Sequence, residues 1–502
     1  MADLLSDYDN DTEGEILSCM AAKEFYGILQ TFQPSKNMKT PFFKKIIRDR
    51  AFYAMVLSVA LPVIAQNGIS QFVNVLDNLM VGSMGTEQMS GVAIANQLIF
   101  VFDLFLFGGL SGPGIFGAQF FGRRDTVGLR SIFRMKLVLC GILCTAFMGA
   151  FALVPEPLVR LFLHESGEGH SIEETLRAAL SYLAVMQLGH IPYALSMAMA
   201  SSMRECRETM LPMKASVAAV AVNLTGNWLL IGGNLGCPAL GVTGAAIATV
   251  VSRYVEFGIL LIPALRNRER FFYLGGVFAR LHIRRSFLKS VVLKSLPLLI
   301  NEGLWALGMT TLNAFYSLHG LTAVAAINIH ATVNDLFAVV FLSIGSSIGI
   351  IVGNLLGEGK LREARDTDTG MIAFSVGACF LMGLLLAVAA PFFPRLYNTT
   401  ADVRETATRL LLVTACLMPL HAFNHGTYFT LRTGGLTGVT LLFDSGYTWA
   451  IAVPAALLVC KYTSLSLLPC FIIVSCMEFL KAFAGFFMVK SDRWLRTIER
   501  EE

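Results

Sequence analysis

Charge is scarce in this sequence. Asp, Glu, Lys and Arg make up only 15% of its 502 residues, against roughly 25% in soluble domains. Hydrophobic residues supply 55%, and the mean hydropathy is +0.63, which excludes a water-soluble globule. No CxxC occurs among the ten cysteines. Most of them (Cys140, Cys144, Cys379, Cys416, Cys460, Cys470, Cys476) fall in apolar runs and read as small packing residues, not disulfides or metal ligands. There is no nucleotide loop, nucleophile motif or metal cluster, so neither an enzyme nor an ATP-driven pump is expected from this chain. The first 24 residues are acidic and polar and lack the basic start and apolar centre of a signal peptide. They are expected to form a soluble tail or a short peripheral helix.

What is abundant is long apolar runs. About twelve reach the roughly 20 residues needed to cross a bilayer. Their expected limits are 51–81, 89–120, 129–154, 175–202, 211–232, 240–264, 290–318, 322–356, 368–391, 404–431, 437–460 and 465–489. The expected fold is an all-α polytopic membrane protein with two pseudo-symmetric six-helix bundles. The expected organisation is a tail over 1–50, an N-terminal lobe over 51–264, a charged linker over 265–290, a C-terminal lobe over 291–489 and a tail over 490–502. Lys and Arg recur in every second connection, for example Lys36 to Arg50, Arg123 to Arg130, Arg266 to Lys294 and Lys490 to Arg496. This alternation places both termini in the cytoplasm and reads as topology and contact with anionic lipid, not as a nucleic-acid surface.

The halves repeat at an offset of 235 residues. Leu61 and Pro62 recur as Leu296 and Pro297, and Gly85 as Gly320. Ser111, Gly114 and Ile115 recur as Ser346, Gly349 and Ile350, and Gln119 and Gly122 as Asn354 and Gly357. Six spans per half make the repeat parallel, related by an axis along the membrane normal, with a substrate path between the lobes. The glycines of the second and eighth spans suit close helix approach; Pro113 and the same glycines also suit bending during transport.

The polar groups inside the spans are not duplicated. Asp77 lies late in the first span; an acid at that depth costs roughly 2.5–3.5 kcal/mol on insertion scales and needs a partner, a cation or a proton. Asn223 and Asn227, spaced i, i+4, share a face of the fifth span, and Thr249 of the sixth offers another oxygen. Such oxygens replace water around Na⁺ or hold a protonated acid; interhelical hydrogen bonding is the plainer reading. Glu302, with Trp305 close by, suits a substrate cation, although Trp305 equally suits packing. Asp103 and Asp335 are placed to face an inter-lobe cavity, while Glu478 and Lys481, three apart, suit mutual neutralisation. In Leu420–His425 the pair His421 and His425 has metal-ligand spacing, but Ala422 stands where a zinc protease needs Glu. A cavity lining that includes Asn424, or interhelical hydrogen bonding, fits better.

These residues carry a resemblance. Leu76-Asp77-Asn78-Leu79-Met80-Val81-Gly82, Gly117-Ala118-Gln119-Phe120-Phe121-Gly122, Asn223-x3-Asn227, Gly241 to Thr249 and Leu431-Arg432-Thr433-Gly434-Gly435 occur in order at the right spans. The chain resembles the multidrug and toxic compound extrusion (MATE) family over residues 50–495. Its C-terminal pattern (Phe443-Asp444, Trp449, Pro454, Glu478, Lys481, Trp494-Leu495-Arg496) is similar to bacterial drug exporters. The resemblance implies efflux of amphipathic, often cationic, compounds against Na⁺ or H⁺; no cofactor is expected, the plasma membrane is the expected location, and a monomer is the default. It places coupling on Asp77 with Asn223, Asn227 and Thr249, so that any metal held there is Na⁺, and carries a seventh-span acid onto Glu302. Some relatives have a further acid in the tenth span; residues 420–425 here have none, which favours the N-terminal lobe. A flippase for lipid-linked oligosaccharides shares the architecture but would have about two more spans and a more basic cavity. A passive channel lacks support, since nothing resembles a selectivity filter.

Overall fold

The computed structural model describes residues 48–82, 86–162, 172–275, 277 and 285–498; the acidic N-terminal tail and Gly85 lie outside them. Residues 48–58 belong to a separate compact unit from Val59–Glu502. They form the first turns of a helix, begun where Asp49 Oδ1 accepts the Phe52 amide at 3.0 Å.

Among the described residues, twelve helices are long and apolar enough to cross a membrane. They are α1 (Arg50–Gly82), α2 (Thr86–Gly122), α3 (Thr126–Leu153), α4 (Ile172–Glu205), α5 (Met210–Gly232) and α6 (Gly241–Arg266), then α7 (Arg285–Ser317), α8 (Leu321–Gly357), α9 (Leu361–Ala389), α10 (Ala401–Thr433), α11 (Thr437–Tyr462) and α12 (Leu467–Lys490). No strand occurs among the described residues. Helices are the solution the apolar sequence demands, because each satisfies its own backbone where no water can. Proline persists inside α1, α2, α4, α6, α7 and α10, as packed membrane helices tolerate.

The duplication survives in the packing. In the N-terminal lobe α2 packs on α3 and α4, α4 on α3 and α6, and α5 on α6. The C-terminal lobe repeats the scheme: α8 on α9 and α10, α10 on α9 and α12, and α11 on α12. Helix α2 also packs on α7 and α8 across the lobes, and Asn67 of α1 donates to Ser343 of α8 at 3.0 Å.

Helix ends also correspond. Arg124 (φ 58°) follows α2 as Gly359 (φ 75°) follows α8, and Arg207 (φ 61°) follows α4 as Gly435 (φ 73°) follows α10. Two of these left-handed terminators are arginines, which bear the cost that glycine avoids. The described first part of the charged linker is docked: Phe271 and Tyr273 pack in the core around Phe116, Phe120 and Phe133, and Arg134 Nε donates to the Val277 carbonyl at 2.8 Å. Helix α7 begins at Arg285, inside the charged stretch.

Two features escape the hydropathy pattern. Before Pro454, α11 widens into π turns over Leu442–Gly446 and Thr448–Ala452, and α12 breaks at Met477 between Leu467–Cys476 and Glu478–Lys490. Proline cannot donate to the preceding turn, and π turns often mark places where a side chain is re-aimed. Asp444 lies in the first of them.

Candidate functional site

Three expected coupling residues come together in the N-terminal lobe. Asn227 Nδ2 donates to Asn223 Oδ1 at 3.3 Å, Asn223 Nδ2 to Thr249 Oγ1 at 3.1 Å, and Thr249 Oγ1 to the Ala245 carbonyl at 3.0 Å. Asn223 and Asn227 are buried. The helices meet closely because Gly226 faces Ala248: a Cβ there would lie 2.8 Å from that of Ala248. The result is a row of amide and hydroxyl groups between α5 and α6, inside an apolar bundle. Asp77 lies in α1, but its side chain lies outside the described residues.

The C-terminal lobe holds a different cluster. Lys481 Nζ binds Asp444 Oδ1 at 2.8 Å, below the rings of Phe443 and Tyr447 at 5.4 and 5.2 Å. Asn301 Nδ2 donates to Asp444 Oδ2 at 3.0 Å, and Asn301 Oδ1 accepts from Ser445 Oγ at 2.8 Å. Both oxygens of Asp444 are engaged, so this acid is committed to its lysine. The mutual neutralisation expected of Glu478 and Lys481 gives way to this geometry: Lys481 reaches across to α11, and Asn424 holds Glu478 at 2.6 Å. Lys481 takes its hydrogen-bonded partner from α11, while Glu478 stays within electrostatic reach of it.

Glu302 is placed differently. Its Oε1 accepts from Tyr428 at 3.1 Å, and its Cγ would lie 3.2 Å from a Cβ at Gly108 of α2. The acid therefore stands where the lobes meet. Arg432 lies over Phe429 at 5.4 Å and Phe107 at 5.9 Å. His425 packs at 4.7 Å on Phe341, which His421 also faces at 6.4 Å. Trp305 is 38% exposed. Asp335 lines a groove with Asn67, Ser70 and Gln71 of α1. Asp103 lies instead within electrostatic reach of Arg253, whose guanidinium stacks on Tyr193 at 4.5 Å.

Between the lobes is a cavity of about 150 Å³, below the roughly 300–1,000 Å³ of drug-sized sites. Ser111, Gly114 and Ile115 line one side, and their repeat partners Ser346, Gly349 and Ile350 the other. Toward the ends of α2 and α8 the seam closes by a reciprocal contact. A Cβ at Gly122 would lie 2.0 Å from the Asn354 carbonyl oxygen, and one at Gly357 would lie 2.0 Å from that of Gln119. Asn354 Nδ2 donates to the carbonyls of Ala118 (2.8 Å) and Glu205 (3.1 Å). Gln119 Nε2 donates to the Thr433 carbonyl (3.3 Å), and its Oε1 accepts from the Ile498 amide (2.8 Å). Each residue thus caps the end of a helix in the opposite lobe. Outside the spans, Arg207 donates to Asn354 Oδ1 at 2.7 Å; burial lowers its pKa, opposed by Glu358 and Glu363.

Sequence reasoning missed two buried charged sites. Lys136, fully buried, binds Glu205 Oε1 at 2.5 Å, Ser201 at 3.0 Å and Ser202 at 3.1 Å. Gly117 makes room for that carboxylate, since a Cβ there would lie 2.0 Å from Glu205 Oε2. A lysine well inside the apolar run of α3 was the available signal. Asp368, also fully buried, accepts from Thr430 at 2.6 Å, and its Oδ2 has no hydrogen-bond partner among the described residues.

Comparison with known proteins agrees with this architecture. A family model described as MatE matches residues 62–229 and 297–444, two segments that begin one repeat offset apart. A probable multidrug resistance protein NorM of Thermotoga maritima is 23% identical over 417 residues, covering 82% of this chain and 87% of the relative. One of Bradyrhizobium diazoefficiens is 25% identical, covering 78% and 82%. Among solved structures, the outward-facing conformation of a multidrug resistance MATE family transporter of the MOP superfamily superposes with a TM-score of 0.80 at 19% identity, covering 90% of this chain and 98% of that one. The Vibrio cholerae MATE transporter VcmN, solved as a point mutant, gives 0.79 at 17% identity, covering 88% and 97%. With a matched family over more than half its length and twelve membrane-crossing helices, the chain belongs to the MatE family of multidrug efflux transporters and is a multi-pass membrane protein, not an enzyme.

Proposed function

We propose that this protein is a secondary antiporter. It exports amphipathic, cationic or aromatic compounds in exchange for Na⁺ or H⁺, as a monomer in the plasma membrane with both termini cytoplasmic. The observation that carries the reading is the hydrogen-bonded row Asn227–Asn223–Thr249 inside the N-terminal lobe. Ser70 of α1 meets Ser216 of α5 at 3.5 Å. Asp77 follows Ser70 by seven residues in α1, and Asn223 follows Ser216 by seven in α5; these are the groups this reading pairs. An acid that pairs with amide and hydroxyl oxygens inside an apolar bundle makes a cation or proton site.

Occupation of that site from the exterior changes packing in the N-terminal lobe and lowers drug affinity. A ligand drives the cycle only through differential affinity for two states. The membrane potential adds about 2.3 kcal/mol per inward charge per 100 mV. Glu302, at the seam with Tyr428, takes the substrate cation; Asp444 is withheld by Lys481. The Gly122–Gly357 contact closes the cytoplasmic side and must part before substrate enters. Efflux of a fluorescent cation from proteoliposomes under imposed Na⁺ or H⁺ gradients tests this. Wild type should follow one gradient and Asp77→Asn neither; full coupling in Asp77→Asn would refute it.

A further inference from the structure

At the end of the C-terminal lobe remote from the Gly122–Gly357 contact, three helix ends bring together three metal-ligating side chains. His319 follows α7, Cys460 is near the end of α11, and Cys470 is near the start of α12. Their ligand atoms all lie within 4.8 Å of one another. Cys470 is fully buried, Cys460 is 9% exposed, and His319 is half-buried. We propose that this trio binds a thiophilic metal ion of the zinc class.

The geometry favours it in three ways. Zn–S and Zn–N bonds of about 2.3 and 2.0–2.1 Å at a tetrahedral angle separate sulfur from nitrogen by about 3.6 Å; His319 Nε2 and Cys470 Sγ are 3.7 Å apart. His319 Nδ1 lies 3.2 Å from the Tyr316 carbonyl; in the tautomer that donates there, Nε2 is left unprotonated and able to bind a metal. The Leu465 carbonyl lies 3.1 Å from Nε2 and 3.9 Å from Cys470 Sγ, beside the fourth position, which water would fill. The plain alternative is that Nε2 hydrogen-bonds the Leu465 carbonyl while the thiols pack among apolar neighbours, Cys470 Sγ donating to the Val459 carbonyl at 3.5 Å; metal titration separates the two.

On binding, each thiol releases its proton to solvent as its sulfur–metal bond forms, so affinity falls as pH falls. The ion ties together the ends of α7, α11 and α12, the helices that carry Asn301, Asp444 and Lys481. The site's position on the exterior face rests on the orientation proposed above; binding itself does not.

The test uses full-length protein in detergent with the exposed Cys416 and Cys476 replaced by Ser, reduced and stripped with chelator. Titration with Zn²⁺ should show one tight site, and Co²⁺ should give a thiolate charge-transfer band. His319→Gln, at a half-exposed position, should weaken Zn²⁺ binding by more than about 10–100-fold, the loss typical of even an outer-shell partner, while gradient-driven transport persists. Cys460→Ser and Cys470→Ser should also abolish the cobalt band. No stoichiometric site in folded protein, or a site unaffected by His319→Gln, would overturn the proposal. So would a Cys460–Cys470 disulfide found in the protein as isolated, because the pair would then be a covalent staple.

Discussion

Where the two lobes touch, they make the same contact twice. Gly122 lies under Asn354 as Gly357 lies under Gln119, and each amide side chain caps a helix of the other lobe. Inside the lobes the polar groups are not duplicated. The N-terminal lobe has uncharged amides and a hydroxyl between α5 and α6, while the C-terminal lobe has the Asp444–Lys481 pair and Glu302. The difference separates two demands. On the proposed antiport cycle, a seam that parts about a pseudo-twofold axis keeps its halves alike, whereas coupling and substrate contact need different chemistry.

That comparison can be broken in several places, beginning with the largest expected effect. Lys136→Met leaves Glu205 buried without its cation. It should destabilise the protein by about 3–5 kcal/mol in thermal unfolding, and Glu205→Gln added to it should restore most of the loss. Failure of that rescue would mean that the pair is not the reason for the loss.

Gly122→Ala and Gly357→Ala each place a methyl against backbone and should cost about 1–3 kcal/mol. Gly141→Ala, with no atom within 4 Å, should be nearly neutral. Cysteine cross-linking across the seam should fall equally in the first two; unequal effects would show that the seam is not symmetric in function. Gln119→Ala and Asn354→Ala should follow the same rule, each costing about 1–3 kcal/mol for the buried groups left unpaired.

The smallest test is a helix cap. Asp125 accepts the Gly128 amide at 2.9 Å at the start of α3, while its repeat counterpart Lys360 caps α9 without a side-chain bond. Asp125→Ala should lower stability by about 1 kcal/mol, and Lys360→Ala by much less.

The duplicated part was the legible part. Glycine, Gln119 and Asn354 recur in the sequence at one offset, so the repeat was legible; that these residues form the seam, and in a crossed pairing, was not. The twelve helices followed from apolar length. The Asn223–Asn227–Thr249 row was legible because two members share one helical face. Lys136–Glu205 and Asp368–Thr430 were not, because each joins residues about 60–70 positions apart and no periodicity encodes such a pairing. Lys481 was read against Glu478, three residues away on one helix; its hydrogen-bonded partner Asp444 lies 37 positions away on α11, a separation no periodicity encodes. The cysteines of α11 and α12 read as packing residues singly; their meeting with His319 exists only in three dimensions.

The central claim is that the lobes divide the work, and one experiment addresses it directly. Asp77→Asn and Glu302→Gln are reconstituted side by side, and efflux of an organic cation is measured with and without an imposed ion gradient. Asp77→Asn should bind substrate but lose its response to the gradient, whereas Glu302→Gln should keep the gradient response at a raised substrate KM. Loss of gradient response in Glu302→Gln with coupling intact in Asp77→Asn would contradict the account.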